Sequence, residues 1–217
     1  MSIAVITANF GMFDTKKTIP QQNIPFDRYY YTEENSPFPF HTIDNRLRAK
    51  VFKILPHLIL PDYDYYIWLD ANIQVKSSDL VSTLIGHLTN RDITKKDIAI
   101  SPHPFRNSIY EEANFIVSSI KSGSRYITSR YSATSTEKEI QDIGPGLEGL
   151  YWCGLMVRRN TPAINAACDE WFRRNILYTN FDQLSFVDIV KKFHIDLATF
   201  HLGDFYNNKF YKIVHHL

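Results

Sequence analysis

The sequence predicts an α/β protein in which a mostly parallel sheet carries helices on both faces. Two observations predict this class. Short, unbroken apolar runs alternate with segments of helical periodicity, and each apolar run leads into small or polar residues typical of a loop. The 217 residues contain no internal repeat and no Gly/Ser linker, so we expect one domain over residues 1–217 with its own core.

The first half of the chain is expected to contain three strands, over residues 3–6, 27–32 and 65–69. The first strand ends in a loop at residues 7–11. Asp44 is a capping residue for a helix whose apolar stripe runs from Leu47 to Leu58, and Pro56 disturbs the end of that helix.

The second half is expected to contain strands over residues 98–100, 150–157 and 193–200. Helix starts are marked by capping residues, which are Ser77 or Ser78, Ser108, Thr161 before Pro162, and Asp182. Residues 124–147 are polar and rich in Ser and Thr. We interpret them as a loop region with at most one short helix, placed where it could act as a substrate lid.

The composition excludes two classes of protein. The 24 Lys plus Arg residues against 23 Asp plus Glu give a net charge of +1, too little to attract a nucleic acid or an anionic lipid surface. Cys153 and Cys168 match no metal or redox spacing, so we expect buried thiols in a reducing compartment. No segment approaches the ~20 apolar residues of a membrane span, and the first residues do not resemble a signal peptide. We therefore predict a cytoplasmic protein without an integral membrane segment.

Aromatic residues make up 14% of the chain and cluster at residues 29–31 and 63–66. Their flat rings suit sugar faces and nucleobases, and they suit core packing equally well. The sequence alone leaves both interpretations open.

The most informative segment is residues 65–75, because ligands of such sheets bind beyond the carboxyl ends of the strands. An apolar strand there emerges into Asp70, Ala71 and Asn72. Two oxygen-bearing side chains at this spacing suit Mg²⁺ or Mn²⁺, which take one or two protein oxygens and fill the remaining positions with water and phosphate. The alternative is an Asx turn that merely ends the strand.

A basic stripe on the predicted first helix consists of Arg46, Lys50, Lys53 and His57. For Arg46 and Lys50 we favour a solvated helix face. For Lys53 we favour a functional role, because a cation there would meet a diphosphate held at the strand ends.

The Asp70 corner resembles the Asp-x-Asp motif of glycosyltransferases with the Rossmann-like GT-A fold. The glycogenin and bacterial galactosyltransferase relatives place a donor-contacting arginine where this chain has Lys53. Three later segments also resemble motifs of those enzymes in the same order: Tyr151-Trp-Cys-Gly-Leu-Met-Val157, Phe181-Asp-Gln-Leu184, and His201-Leu-Gly203 with Lys209 beyond. The histidine of the last motif is a metal ligand in those relatives.

A closer resemblance is to an uncharacterised glycosyltransferase-like family of plants and bacterial surface-polysaccharide clusters, over roughly residues 3–190. The matching segments are Asn9-Phe-Gly with Asp14, Lys53-Ile-Leu-Pro-His57, Ile67-Trp-Leu-Asp70, His103-Pro-Phe-Arg106, Tyr110-Glu-Glu-Ala113 and Asp182-Gln-Leu-Ser-Phe186. Asn72 departs from the GT-A pattern, because it stands where those enzymes have a second aspartate. An amide offers an oxygen without charge, so metal binding should be weaker, or the metal is dispensable.

The resemblance implies a set of site residues. Those expected to bind the nucleotide sugar are Ala8, Asn9, Phe10, Gly11, Lys53, Asp70, Ala71, Asn72 and His103. Those expected to hold Mn²⁺ or Mg²⁺ are Asp70, Asn72 and His201. Those expected to take part in catalysis are Asp182, Gln183, Glu148 and Arg106.

The function implied is transfer of a sugar from a nucleotide diphosphate donor to a hydroxyl of a saccharide or related acceptor, in glycan or surface-polysaccharide synthesis. If the reaction inverts the anomeric centre, Asp182 or Glu148 is the candidate base; if it retains, the departing phosphate can serve, and the sequence leaves both open. An inert nucleotide-sugar or glycan-binding module of the same fold is the alternative, favoured by Asn72. A nucleotidyltransferase is a weaker one, since the first loop holds only Gly11 and no phosphate-binding glycine motif.

Overall fold

The structure, a computed structural model, describes residues 1–39, 44–89, 95–123 and 133–214. The strands in these ranges are β1 (Ile3–Ala8), β2 (Asp27–Tyr31), β3 (Tyr65–Leu69), β4 (Ile73–Val75), β5 (Ile98–Pro102), β6 (Tyr151–Arg159), β7 (Leu197–Thr199) and β8 (Tyr211–Ile213). The helices are α1 (Asn45–Ile54), α2 (Pro56–Ile59), α3 (Leu80–Leu88), α4 (Ile109–Lys121), α5 (Ala133–Ile143), α6 (Pro162–Leu177) and α7 (Asp182–Lys192).

The main sheet has the strand order β2-β1-β3-β6-β5-β7. Strand β6 runs antiparallel to β3 and β5, and the other neighbours pair in parallel. The predicted mostly parallel α/β sheet is therefore confirmed. Strands β4 and β8 form a separate antiparallel pair that the sequence did not predict.

Both faces of the sheet are covered, as expected. Alternate residues of β1 point to opposite sides: Ala4 and Ile6 join the core formed with α1, α6 and α7, whereas Ile3 and Val5 join the core formed with α3 and the small sheet. Strands buried on both faces read as continuous apolar runs, and this is why period-2 alternation is missing from residues 3–6.

Three predicted helix starts are confirmed by their capping hydrogen bonds. The side chain of Asp44 accepts from Leu47 N at 3.0 Å, that of Ser108 from Glu111 N at 3.2 Å and that of Thr161 from Ile164 N at 3.3 Å. Each satisfies a backbone N–H that has no partner within its own helix.

Several expected boundaries are wrong. Neither Ser77 nor Ser78 is the N-cap of α3, which follows Asp79, because the Ser77 hydroxyl bonds the Asp79 carboxylate instead. Asp182 lies inside the first turn of α7, after the N-cap Phe181, and its side chain makes no capping bond.

Two predicted segments also have a different structure. Of the polar stretch 124–147, residues 133–143 form the eleven-residue helix α5, while residues 124–132 lie outside the described ranges. The last strand covers only residues 197–199, because α7 continues to Lys192 and is capped by Phe193. None of the helices described is long and apolar enough to cross a membrane.

Candidate functional site

The corner after β3 is fixed by hydrogen bonds to β6 and β4. Asp70 N donates to Gly154 O of β6 at 2.9 Å, and Ile73 N donates to Asp70 O at 3.0 Å. The Asp70 carboxylate accepts from Trp68 Nε1 at 2.6 Å through Oδ1. The side chain is therefore oriented by the indole two residues earlier. In an Asx turn the Asp70 carboxylate would instead accept a hydrogen bond from the backbone of the turn.

A buried cluster of charges lies beside this corner. The Asp182 carboxylate at the start of α7 contacts the ammonium groups of both Lys50, at 2.6 Å, and Lys53, which is the closer of the two. Lys53 Nζ also lies 5.7 Å from the centre of the Trp68 ring. Trp68 thus contacts Asp70 with its N–H and Lys53 with its ring face, so the two charged groups share one neighbourhood.

The electrostatics of the cluster favour the ionised forms of Lys53 and Asp182, whereas burial outweighs Asp182 at Lys50 and lowers the pKa of that lysine. Burial acts to lower the pKa of Lys53, but Asp182 and then Asp70 outweigh it and leave this pKa above its ordinary value. Burial acts to raise the pKa of Asp182, and the two lysines outweigh it and leave this pKa lowered. A buried carboxylate with a lowered pKa is a poor proton acceptor. Asp182 is one of the two residues expected as the base. It is therefore better suited to holding the lysines in place than to accepting a proton.

The first loop meets the same corner. Thr7 at the end of β1 and Arg28 and Tyr30 of β2 line a narrow crevice with Asp70 and Ala71. Gly11 has φ +82°, a left-handed conformation that favours glycine, and a Cβ there would displace the Asn45 amide at the start of α1.

The side chains of Asn9 and Phe10 are engaged within the protein. Asn9 Nδ2 donates to Asp14 O and to Tyr30 Oη, the latter at 3.0 Å, and Phe10 stacks on Phe52 at 5.6 Å between ring centroids. Both residues, together with the buried Ala8, shape the loop; their contact with a nucleotide stays a prediction.

A second polar cluster follows β5. Arg106 is ion-paired with the buried Glu112 of α4, and Gln183 Nε2 donates to the other Glu112 oxygen at 2.7 Å. His103 Nδ1 accepts from Arg106 N at 3.1 Å and from Phe105 N at 3.3 Å, so the proton of the neutral ring is on Nε2. Burial lowers the pKa of His103, partly offset by Glu112, and this favours the neutral ring.

The two clusters are joined through α7, because Asp182 belongs to one and Gln183 to the other. Four of the predicted site residues therefore meet here: Lys53, Asp182, Gln183 and Arg106, with Asp70 and His103 adjacent. Glu148 is exposed and lies one residue before Gly149, which pairs with Ser108 at the start of α4.

The expected metal ligands are only partly assembled. His201 is exposed beyond β7, three strands from β3 in the sheet order, and it makes no hydrogen bond with Asp70 or Asn72 in the described ranges. No group of three or more His, Cys, Asp or Glu side chains suited to a metal occurs among the described residues. Asn72 Oδ1, however, is buried without a hydrogen-bond partner, as a ligand oxygen would be.

Three residues of this region were missed by sequence reasoning. Lys50, expected on a solvated face, is in the Asp182 ion pair. Glu112 occupies the buried stripe of α4 with Ile109, Ala113 and Ile116, and a carboxylate at such a position was the available signal. Arg28 has a buried Nε with no partner, and nothing in its sequence context marked it.

The family of the chain follows from its match to one family model. Over 92% of its length the chain is similar to 82% of a solved chain titled "crystal structure of a glycosyltransferase involved in the glycosylation of the major capsid of PBCV-1", with 8% identity and a TM-score of 0.49. No curated protein matches significantly. Residues 34–217 match the model of the TOD1/MUCI70 glycosyltransferase-like domain, which covers most of the chain and both polar clusters. The chain therefore belongs to the TOD1/MUCI70 glycosyltransferase-like domain family.

Proposed function

We propose that this protein is a glycosyltransferase that moves a sugar from a nucleotide diphosphate donor to a hydroxyl of a saccharide or related acceptor, in glycan or surface-polysaccharide synthesis. The observation that carries the proposal is the buried Lys50–Lys53–Asp182 cluster next to Asp70 at the carboxyl ends of the strands. Family membership supports the same conclusion.

The donor diphosphate binds beside Asp70 in this proposal. The barrier to sugar transfer is departure of a diphosphate from a positively charged sugar centre, so the site must neutralise the leaving group. Lys53, whose raised pKa keeps it charged, supplies a fixed cation. In the proposal the nucleoside end lies toward the narrow crevice lined by Thr7, Arg28 and Asp70, whose free volume of about 10 Å³ has to widen to admit it.

A divalent cation fits the same corner. The unpartnered Asn72 Oδ1 and the Asp70 carboxylate are oxygen donors of the kind that Mn²⁺ and Mg²⁺ take, one or two from protein. When bound, the ion would supply further positive charge for the diphosphate.

The second cluster is assigned to the sugar and its acceptor. His103 can donate through Nε2, because Nδ1 is already an acceptor. Arg106 and Gln183 are held by Glu112, so their remaining N–H groups are pre-oriented for hydroxyl groups. Glu148, being exposed, is the candidate base if the reaction inverts the anomeric centre.

The direct test is thermal unfolding of the purified protein with UDP, GDP, ADP and CDP, each with and without Mn²⁺. A ligand that prefers the folded state raises the Tm. We expect UDP or GDP to raise the Tm only when the metal is present, and we expect Lys53→Met to abolish the shift. Lys96→Met, at a partly exposed ion pair with Asp196 beyond the site, is the matched control and should retain it.

The outcomes separate the hypotheses. A shift accompanied by release of nucleotide diphosphate from a nucleotide sugar supports the transferase. A shift without any release, with or without saccharide acceptors, supports the inert binding module. Absence of a shift with every nucleotide contradicts the transferase and, of the inert modules, leaves only one that binds a glycan.

A further inference from the structure

Aromatic rings gather on the surface beside the second polar cluster. Phe105 and Tyr206 are 58% and 50% exposed, and their ring centroids lie 5.9 Å apart. Phe205 packs edge-on against both, at 5.4 Å from Phe105 and 5.0 Å from Tyr206. These three residues and Trp152 form what we call the aromatic platform. Exposed apolar clusters of this kind mark sites where something binds.

The platform is continuous with the candidate site through Trp152. The Trp152 ring lies 4.7 Å from that of Phe205 and covers Gly154 so closely that a Cβ there would be 2.6 Å from the indole. The carbonyl of Gly154 accepts the hydrogen bond from Asp70 N at 2.9 Å. One chain of contacts therefore leads from the corner after β3 to the exposed rings.

The platform also borders the polar groups that can recognise hydroxyls. The Phe105 ring contacts the His103 ring at 6.0 Å, and Arg106 follows Phe105 directly. A ligand lying on Phe105 would thus meet an apolar surface and hydrogen-bond donors at once, the combination that a carbohydrate presents with its C–H face and hydroxyl edge.

The loop carrying Phe205 and Tyr206 is held rigidly. Asp204 Oδ1 accepts from Tyr206 N at 3.0 Å and from Asn207 N at 2.8 Å, and Asn208 Oδ1 accepts from Phe210 N and Tyr211 N at 2.9 and 3.0 Å. Ile213 N of β8 donates to Tyr206 O at 2.8 Å. Rings fixed before binding lose little entropy when a ligand covers them.

We propose that the aromatic platform binds the acceptor of the reaction, and that this acceptor is a chain of pyranose sugars whose apolar C–H faces stack on Phe105 and Tyr206. The inference rests on the proposed function for the acceptor's role, whereas the saccharide contact itself is open to a binding test. The nonreducing end of the chain then lies toward Trp152 and Asp70, where the donor sugar is transferred.

The test measures saccharide binding by isothermal titration calorimetry. The probes are neutral hexasaccharides with different linkages: cellohexaose, β-1,4-mannohexaose, β-1,4-xylohexaose and maltohexaose. We expect at least one to bind the wild-type chain and Phe105→Ala or Tyr206→Ala to weaken it about tenfold, equivalent to about 1.4 kcal/mol. Tyr206→Phe keeps the ring and should retain binding. Leu58→Ala removes a 66% exposed apolar side chain from α2, before β3, and is the matched control.

Each outcome decides the inference. Failure of all four probes to bind at millimolar concentration overturns it, as does binding that Phe105→Ala and Tyr206→Ala leave intact. Binding to phosphatidylcholine vesicles that both variants lose, without saccharide binding, would identify a lipid-contacting patch and also overturn it. Parallel titration of the wild type with UDP and GDP separates the two proposals: saccharide binding lost in the variants without any nucleotide binding keeps the platform and rejects the transferase.

Discussion

Buried cations lie near both ends of the strands of the main sheet, and their surroundings differ. Where the parallel strands begin, Arg158 of β6 donates to His57 and to Asn165, each at 3.1 Å. Arg158 lies there between packed helices and strands. Where the parallel strands end, Lys53 contacts Asp182 and lies next to the loop that carries Asp70. Burial of a charge alone therefore does not mark a site. What distinguishes Lys53 is a second carboxylate on a loop that follows a strand, where a ligand can enter.

The largest expected effect tests the cost of removing a carboxylate from each of the two clusters. Asp182→Asn leaves Lys50 and Lys53 buried without their carboxylate, so we expect a loss of about 3–5 kcal/mol of unfolding free energy. Asp169→Asn, at the 58% exposed carboxylate that contacts His57, should cost less than about 1 kcal/mol. Urea unfolding at pH 7 measures both, and equal losses would contradict the comparison.

A third buried ionisable residue, Glu139, extends the comparison to the pH dependence of stability. Burial raises the pKa of Glu139 to about 7, although Thr179, next to the start of α7, donates to it at 2.9 Å. Because the folded state holds this proton more tightly than the unfolded state, stability is full below about pH 4.5 and falls as the pH rises to about 7.

Glu139→Gln should remove this pH dependence. We expect the variant to gain about 3 kcal/mol relative to the wild type between pH 4.5 and pH 8. Denaturant unfolding at several pH values measures the gain. Parallel curves for the two proteins would show that Glu139 ionises as it does in the unfolded chain.

The reaction rates of variants at two aspartates, one at each end of β3, extend the comparison to activity. Asp70 follows the strand, whereas Asp64 precedes it and accepts from Ser2 N at 2.7 Å. We expect Asp70→Asn to lower sugar transfer or donor hydrolysis by about a hundredfold, equivalent to about 2.7 kcal/mol, with a Tm within about 2 °C of the wild type. Asp64→Asn should keep the wild-type rate; equal rates in the two variants would remove Asp70 from the site.

The smallest effect concerns helix caps. Ser108→Ala and Thr161→Ala each remove one capping bond and should each cost about 1 kcal/mol, measured by urea unfolding. Only Ser108 begins the helix that holds Glu112, so only its variant should also slow transfer, because Arg106 and Gln183 lose their positioning. A slower reaction in Thr161→Ala as well would indicate a general loss of folded protein.

Local signals predicted most of the fold. The strand at residues 65–69 and the caps Asp44, Ser108 and Thr161 were found because an apolar run and a capping hydroxyl or carboxylate act over a few residues. The start of α7 was predicted one residue late, at an aspartate whose side chain binds two lysines from another helix. Strand β8 was not predicted, because its pairing partner β4 is far away in the chain.

The site divides in the same way. The sequence by itself determined that Asp70 and His103 follow strands, that Lys53 lies on the helix before β3 and that Asp182 lies at a helix start. Those positions depend on periodicity and chain order. Only the tertiary structure decided that Lys50 pairs with Asp182, that Glu112 joins Arg106 to Gln183, and that Phe105 and Tyr206 are exposed whereas the tyrosines at residues 29–31 and 63–66 are not. The physical reason is that charge pairing and ring exposure depend on contacts between segments that are distant in the sequence. The residues adjacent in the chain do not determine those contacts.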